Sequence, residues 1–203
     1  MASRSDTYQR ILESARDLIY ASSYADVGVA AICERANVKK GSFYHFFTSK
    51  QELTISVLDT YFVDMKEQIL DHAFNSGLKP MERLNKFYTM VIDMQSSIFE
   101  QTGHVLGCPF GNLALELATR DEPIRKKVDQ VFTRLQTLIK VTLDEAMASG
   151  DLEQIDTGAT ARALIAYFEG AVLLAKAHND PSILKQLLPA AAQIRILPSN
   201  QIN

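Results

Sequence analysis

The sequence predicts an all-α protein, with a three-helix helix-turn-helix domain followed by a larger helical domain, about nine helices in total. Three observations carry this reading. Apolar residues recur at three- and four-residue spacing along most of the chain. No run alternates with period two for long enough to make a sheet. Gly, Pro and Asn breaks punctuate the pattern at intervals typical of bundle loops. At 203 residues the chain suits one compact unit or two small ones, and 47% hydrophobic with 22% charged residues argues against global disorder.

Taken in order, Asp6 and Gln9 read as a capping box ahead of Ile11, Leu12, Ala15, Leu18 and Ile19. A short helix fits Val29 to Ala36 with Ile32 and Cys33 inward, and Asn37 suits the left-handed residue that ends it. A third fits Lys40 to Phe46. Ser49 then caps a long helix bearing Leu53, Val57, Leu58, Tyr61, Met65 and Ile69. Asn75-Ser76-Gly77 with Pro80 interrupts the pattern. The next helix carries Leu84, Phe87, Tyr88, Val91, Ile92, Ile98 and Phe99. Gly103 to Gly111 is a glycine-rich break, with Pro109 at the first position of a helix ending near Ala118. Asp121 and Pro123 open a long helix that Gly150 stops. Asp156 or Thr157 caps another. Asp180-Pro181 opens the last, expected to reach about residue 195, and residues 197–203 read as a frayed tail.

Composition narrows the function classes. The longest stretch free of Asp, Glu, Lys and Arg, Gln101 to Leu115, has 15 residues and includes three glycines. A span needs roughly 20 apolar residues, so no membrane partner is expected. Met1 to Arg10 is polar and does not read as a signal peptide. Two cysteines make neither a disulfide framework nor a four-ligand zinc site, and no metal, cofactor or catalytic residue is predicted. The setting expected from this is cytoplasmic. Residues 1–50 hold seven cationic against five anionic side chains, net +2, whereas the remainder is net −5. A basic N-terminal quarter on an acidic protein hints at a local nucleic-acid contact.

The stretch 29–50, VAAICERANVKKGSFYHFFTSK, sharpens the hint. Two short helices around a three-residue turn make a helix-turn-helix, whose second helix enters the major groove while the first braces it. Such a helix needs a small residue where it meets the bases, and cations and hydroxyls for phosphates. Lys39, Lys40, Gly41, Ser42, Tyr44 and His45 supply these, and Phe43, Phe46 and Phe47 supply the apolar anchor. Lys50, at the start of the fourth helix, is placed to reach a flanking phosphate.

The Lys-Gly-Ser-aromatic-Tyr-His-Phe core, followed by Ser-Lys and an acidic-Leu step, resembles the DNA-binding domain of the TetR family of bacterial repressors, closely over residues 8–53. Three positions depart from that pattern. Gly28 stands where Ser or Thr is frequent and lacks the capping hydroxyl. Asn37 replaces a usual Gly. Lys39 replaces a frequent Ser or Thr and adds charge at the base-reading end.

The resemblance implies a helix-turn-helix domain at 1–50 and a ligand-binding and dimerisation domain at 51–203. It implies double-stranded operator DNA, a second copy of the chain and a small-molecule inducer as partners. The last two long helices would pair with their copies, and Ala163, Ala166, Gly170, Ala171 and Ala175 suit close helix approach. A pocket among the middle helices would draw on Phe62, Met65, Met90, Met94, Phe99, Phe110, Phe132 and Phe168, although such a stripe is more often plain core. Some relatives that sense electrophiles or oxidants carry a similar Gly-Cys and a downstream Lys, here Cys108 and Lys176, and a helix start favours the thiolate. The leading expectation is a homodimeric repressor released by a small molecule. A thiol-based sensor acting through Cys108 is the alternative. A helical enzyme is the reading from another class, but no HExxH, GxSxG, P-loop or paired-Cys motif accompanies it.

Overall fold

The periodic segments fold as helices close to the bounds set by their caps. The computed structural model describes residues 4–74 and 77–198. Nine α-helices and no strand occur among the described residues: α1 Arg4–Ala21, α2 Val29–Arg35, α3 Lys40–Phe46, α4 Lys50–Met65, α5 Pro80–Thr102, α6 Pro109–Leu117, α7 Glu122–Ala148, α8 Thr157–His178 and α9 Ser182–Leu187. A π turn, Lys66–Leu70, and a last turn, Asp71–Ala73, continue α4, and a 3-10 turn, Leu188–Gln193, follows α9. Asp71 N–H reaches back five residues to the Lys66 carbonyl, and the Lys66 ammonium lies 2.7 Å from the Asp71 carboxylate.

Several caps act as the sequence suggests. Ser49 Oγ accepts from Glu52 N–H at 3.1 Å, Asp121 Oδ1 from Ile124 N–H at 3.1 Å, and Asp156 Oδ1 from Ala159 N–H at 2.8 Å. Two expectations need correction. Helix α1 already includes Arg4, so Asp6 sits inside its first turn and pairs with Arg10 instead of capping. The last helix is far shorter than 181–195: Pro189 has no N–H to give, and the chain tightens into the 3-10 turn. Asn75 and Ser76, read as a break, lie outside the described residues, as does the end of the tail, 199–203.

Packing divides the chain into two compact units, Met1–Val63 with Pro109–Asp129, and Asp64–Cys108 with Gln130–Asn203. The division into 1–50 and 51–203 expected from the resemblance concerns roles, whereas these units concern packing. In the first unit Ile11, Ala15, Ile32, Phe43, Phe47, Leu53, Val57 and Leu58 are buried, joined by Phe110 and Leu113 of α6. Tyr61 Oη donates to the Arg16 carbonyl at 3.0 Å, and Gln51 Nε2 to Asp121 Oδ2 at 2.9 Å.

In the second unit Leu84, Phe87, Tyr88 and Val91 of α5 meet Leu164, Ala171, Val172 and Ala175 of α8, with Leu143, Leu184 and Leu188 completing the core. Phe168 lies 5.7 Å from Phe87 and 6.5 Å from Tyr88, ring centre to ring centre. Helix α8 is long and apolar enough, by length and composition alone, to cross a membrane; it carries Arg162, Glu169 and Lys176, and its buried positions serve this core.

Candidate nucleic-acid interface

The turn between α2 and α3 is fixed by backbone hydrogen bonds. Ala36 ends α2, and Asn37 is left-handed at φ 51°. Asn37 N–H donates to Glu34 O at 3.0 Å and Val38 N–H to Cys33 O at 2.9 Å. This pair of bonds is the Schellman arrangement, which Asn tolerates nearly as Gly does. It turns the chain so that Lys39, extended at ψ 153°, opens α3.

Helix α3 then sorts its residues by face. Phe43 and Phe47 are buried and Phe46 half-buried. Tyr8 of α1 stacks on Phe47 at 5.1 Å and meets Phe46 edge-on at 5.8 Å, clamping α3 from behind. Lys39, Lys40, Gly41, Tyr44 and His45 are exposed, Tyr44 at 57%, and Ser42 is half-buried. Residues 40 and 44, and 41 and 45, are one helical turn apart, so the exposed set forms one stripe. Neither Lys39 nor Lys40 is tied up in an ion pair with the described residues. A Cβ added at Gly41 meets nothing within 4 Å. The chain's own packing therefore gives no reason for a glycine in the first turn of α3. Gly28, at the N-cap of α2, provides no side-chain cap.

Lys50 is placed differently from its expected role. Its ammonium donates to the carbonyls of Tyr24 at 2.7 Å and Val27 at 2.9 Å and lies 3.8 Å from the centre of the Tyr24 ring. Burial pushes its pKa down, and Glu116 opposes this. Glu116 of α6 closes the same loop from its donor side, accepting from Tyr24 N–H at 2.9 Å and Ala25 N–H at 2.7 Å. Lys50 is thus engaged with the backbone between α1 and α2. Tyr8 and Glu116 escape sequence reading. Tyr8 looks like any helix aromatic, and Glu116 acts on residues more than 90 positions away.

Of the residues expected around a pocket, Met65, Met90, Met94, Phe99 and Phe168 pack against the core of the second unit. Phe132 is half-buried in that unit outside this cluster. Phe62 and Phe110 belong to the first unit, where Phe110 lies 6.3 Å from Tyr61. Cys108 is half-buried and hydrogen-bonds the Glu169 side chain of α8. Burial pushes the Glu169 carboxyl up, and the thiol's hydrogen bond offsets part of that. Lys176 is exposed, two turns along α8 from Glu169, with its pKa lowered by desolvation. Asn179, left-handed at φ 51°, ties the preceding loop down, accepting from Val105 N–H at 2.9 Å and donating to Gly103 O at 3.0 Å. No cluster of metal-ligating side chains occurs among the described residues.

Comparison with known proteins places this geometry. The family profile described as "Bacterial regulatory proteins, tetR family" matches residues 11–57, and "Tetracyclin repressor-like, C-terminal domain" matches residues 80–191. A helix-turn-helix transcriptional regulator of Lactococcus lactis subsp. lactis is 31% identical over 89% of this chain and 88% of its own. The transcriptional regulator AcuR of Cereibacter sphaeroides is 32% identical over 87% of this chain and 80% of its own. The crystal structure of a regulatory protein TetR from Rhodobacter sphaeroides superposes with a TM-score of 0.82 at 29% identity, covering 94% of this chain and 99% of that one.

Proposed function

Because this chain belongs to the TetR family of bacterial transcriptional regulators, we propose that it is a homodimeric, cytoplasmic repressor that holds double-stranded operator DNA and lets go when a small molecule binds. The observation that carries the DNA reading is the exposed stripe of α3. Two unpaired lysines, an aromatic hydroxyl, an imidazole and a glycine with no internal purpose stand on one face. The opposite face is fastened by Phe43, Phe47 and Tyr8. Lys39, Lys40, Ser42, Tyr44 and His45 are the proposed contacts to phosphates and base edges, and Gly41 gives the close approach. Lys50 and Glu116 set the angle of the loop that carries α2.

Dimerisation is assigned to α8. Arg162, Ala166, Gly170, Leu173, Leu174 and Ala177 are exposed at helical spacing on one side, Leu173 at 51% and Leu174 at 47%. Small residues flanked by leucines suit close packing against a second copy across a twofold axis. In α9 and the 3-10 turn after it, Leu184, Leu188 and Ala191 are buried within the chain itself. The 51–203 region would also hold the inducer, beside Met65, Met90, Met94, Phe99 and Phe168. Selecting bound sequences from random duplex DNA tests the proposal. An enriched, roughly palindromic site is expected, and no enrichment would overturn it.

One observation favours a second trigger. A half-buried thiol sits at the residue before α6, hydrogen-bonded to a carboxyl. Modification of Cys108 would then release DNA in place of, or beside, a non-covalent inducer. A Cys108→Ser protein that still leaves its operator on thiol-reagent treatment would remove this trigger.

A further inference from the structure

A recess in the first unit draws on none of the α3 residues and on none of the residues packed in the core of the second unit. Ile19 and Leu113, 6% and 3% exposed, give it an apolar lining. The rings of Tyr20 and Tyr61 line it as well, edge to face at 5.7 Å. Tyr61 is held in place by its hydroxyl, which donates to the Arg16 carbonyl at 3.0 Å. Ser22 and Ser23, from the loop between α1 and α2, and Glu116 of α6 complete the lining on the polar side. The enclosed space is about 20 Å³, enough for one water-sized group, and with its open mouth about 290 Å³.

Size and charge select an occupant. A ring or a branched carbon exceeds the enclosed space, whereas an ammonium head is close to water in size. Glu116 brings a negative charge, and no Lys, Arg or His stands among the described lining residues, so an anion is disfavoured. Each Glu116 oxygen accepts one loop N–H, from Tyr24 at 2.9 Å and from Ala25 at 2.7 Å. A carboxylate offers about four acceptor positions, which leaves about two. Lys50, the cation on the same loop, gives its ammonium to the Tyr24 and Val27 carbonyls and does not line the recess. Tyrosine faces attract a cation within about 6 Å of the ring centre. A metal ion would find a single carboxylate, and no cluster of metal-ligating side chains occurs among the described residues.

We propose that this recess binds the ammonium head of a small primary alkylamine. Glu116 accepts its N–H, the Tyr20 and Tyr61 rings flank the charge, and the alkyl tail runs to the mouth. Ser22 and Ser23 belong to the loop that Glu116 holds, so the recess is complete only while that loop is seated. Ser23 Oγ is itself fixed there, donating to Asp26 Oδ2 at 2.8 Å. The amine therefore binds the seated loop better than the released one and favours it by that difference. This loop leads into α2. On the reading of α3 as the groove helix, an occupied recess tightens operator binding.

The test is a titration of the full-length protein with n-butylammonium chloride against sodium chloride at equal ionic strength. The chain has seven Tyr and no Trp, so tyrosine emission responds to an occupant between Tyr20 and Tyr61. A saturable change with a Kd of about 1–10 mM is expected, an affinity within reach of five heavy atoms. n-Butanol lacks the charge, and tetramethylammonium lacks the N–H and is bulkier; both should bind at least about fivefold more weakly. Glu116→Gln should weaken butylammonium at least about tenfold, the scale of a lost hydrogen bond to a charged group. That variant also loosens the loop, so Ser22→Phe is the second. Ser22 is exposed, its replacement covers the mouth, and Glu116 keeps both N–H bonds. Ser22→Phe should lose the saturable response with Tm unchanged. In anisotropy titrations at constant ionic strength, saturating butylammonium should tighten operator binding at least about twofold in the wild type and not in Ser22→Phe. No saturable response in the wild type overturns the site, and so does a response that survives Ser22→Phe. Equal binding of tetramethylammonium overturns the part of Glu116. Amine binding with unchanged operator affinity overturns the coupling alone. A chain that takes the amine but selects no operator sinks the DNA reading and leaves the site standing.

Discussion

Replacing Gly41 with alanine separates stability from function. Gly41 lies within α3, is exposed, and has an ordinary helical backbone, and a Cβ there meets nothing within 4 Å. Glycine in a helix interior costs roughly 0.5–1 kcal/mol relative to alanine, mostly through the freedom it loses on folding. Gly41 is the second residue of α3, so Gly41→Ala should stabilise the protein by the lower end of that range, about 0.5 kcal/mol, a rise in Tm of roughly 1–2 °C for a chain of this size. If the glycine is kept for close approach to base edges, the added methyl is overpacking at the interface. That typically costs about 1–3 kcal/mol, or roughly 5- to 150-fold in affinity. Calorimetry and fluorescence anisotropy on the selected operator read the two effects separately. A variant that is more stable and binds DNA as tightly as the wild type would refute the reading of α3 as the groove helix. A variant that is less stable would refute the reading of the backbone.

Other perturbations test the remaining assignments. Tyr44→Ala and Lys40→Ala should abolish specific binding in anisotropy titrations without unfolding the dimer. If Lys40 meets a phosphate, its loss should lower the salt slope of any residual binding by about one. Leu173→Glu puts a charge on an exposed position, so the protomer should stay folded while light scattering shows monomers. Tyr88 is 5% exposed with an unpartnered hydroxyl, and burial pushes its pKa up to about 12. Tyr88→Phe should thus be neutral or stabilise by about 1 kcal/mol in urea melts. The folded state keeps the Tyr88 proton above the pH where the unfolded chain loses it, so the wild type should lose stability from pH 10 to 12. Measured against Tyr88→Phe, the loss over that range should be about 2 kcal/mol.

The helices were legible because caps and apolar spacing are local signals. Asn37, Ser49, Pro109 and Asp156 each act on atoms within five residues of themselves, and each stands where the sequence puts it. The last helix was misjudged because Leu184, Leu187, Leu188 and Ala191 keep helical spacing across Pro189. The missing N–H decides the geometry there, and the apolar pattern does not register it. The exposed face of α3 was legible for the same local reason, as one short helix with aromatics on one side and lysines on the other. The environments of Lys50 and Cys108 were not. Whether an ammonium faces solvent or two loop carbonyls, and whether a thiol lies beside a carboxyl or an amine, depends on residues brought in from elsewhere in the chain.

Glu116 has a consequence for anyone exchanging reading heads between relatives. The carboxylate that holds the loop before α2 comes from α6, and residues Pro109–Asp129 pack with Met1–Val63 as one unit. A chimera cut at residue 50 would graft a donor's α2 and α3 onto a recipient's α6, leaving Tyr24 and Ala25 to whichever side chain the recipient has at that position. Operator preference in such hybrids should transfer cleanly only when the second segment travels with the first. The reading head is best treated as a discontinuous module of two pieces of chain, one of which begins at the residue after Cys108.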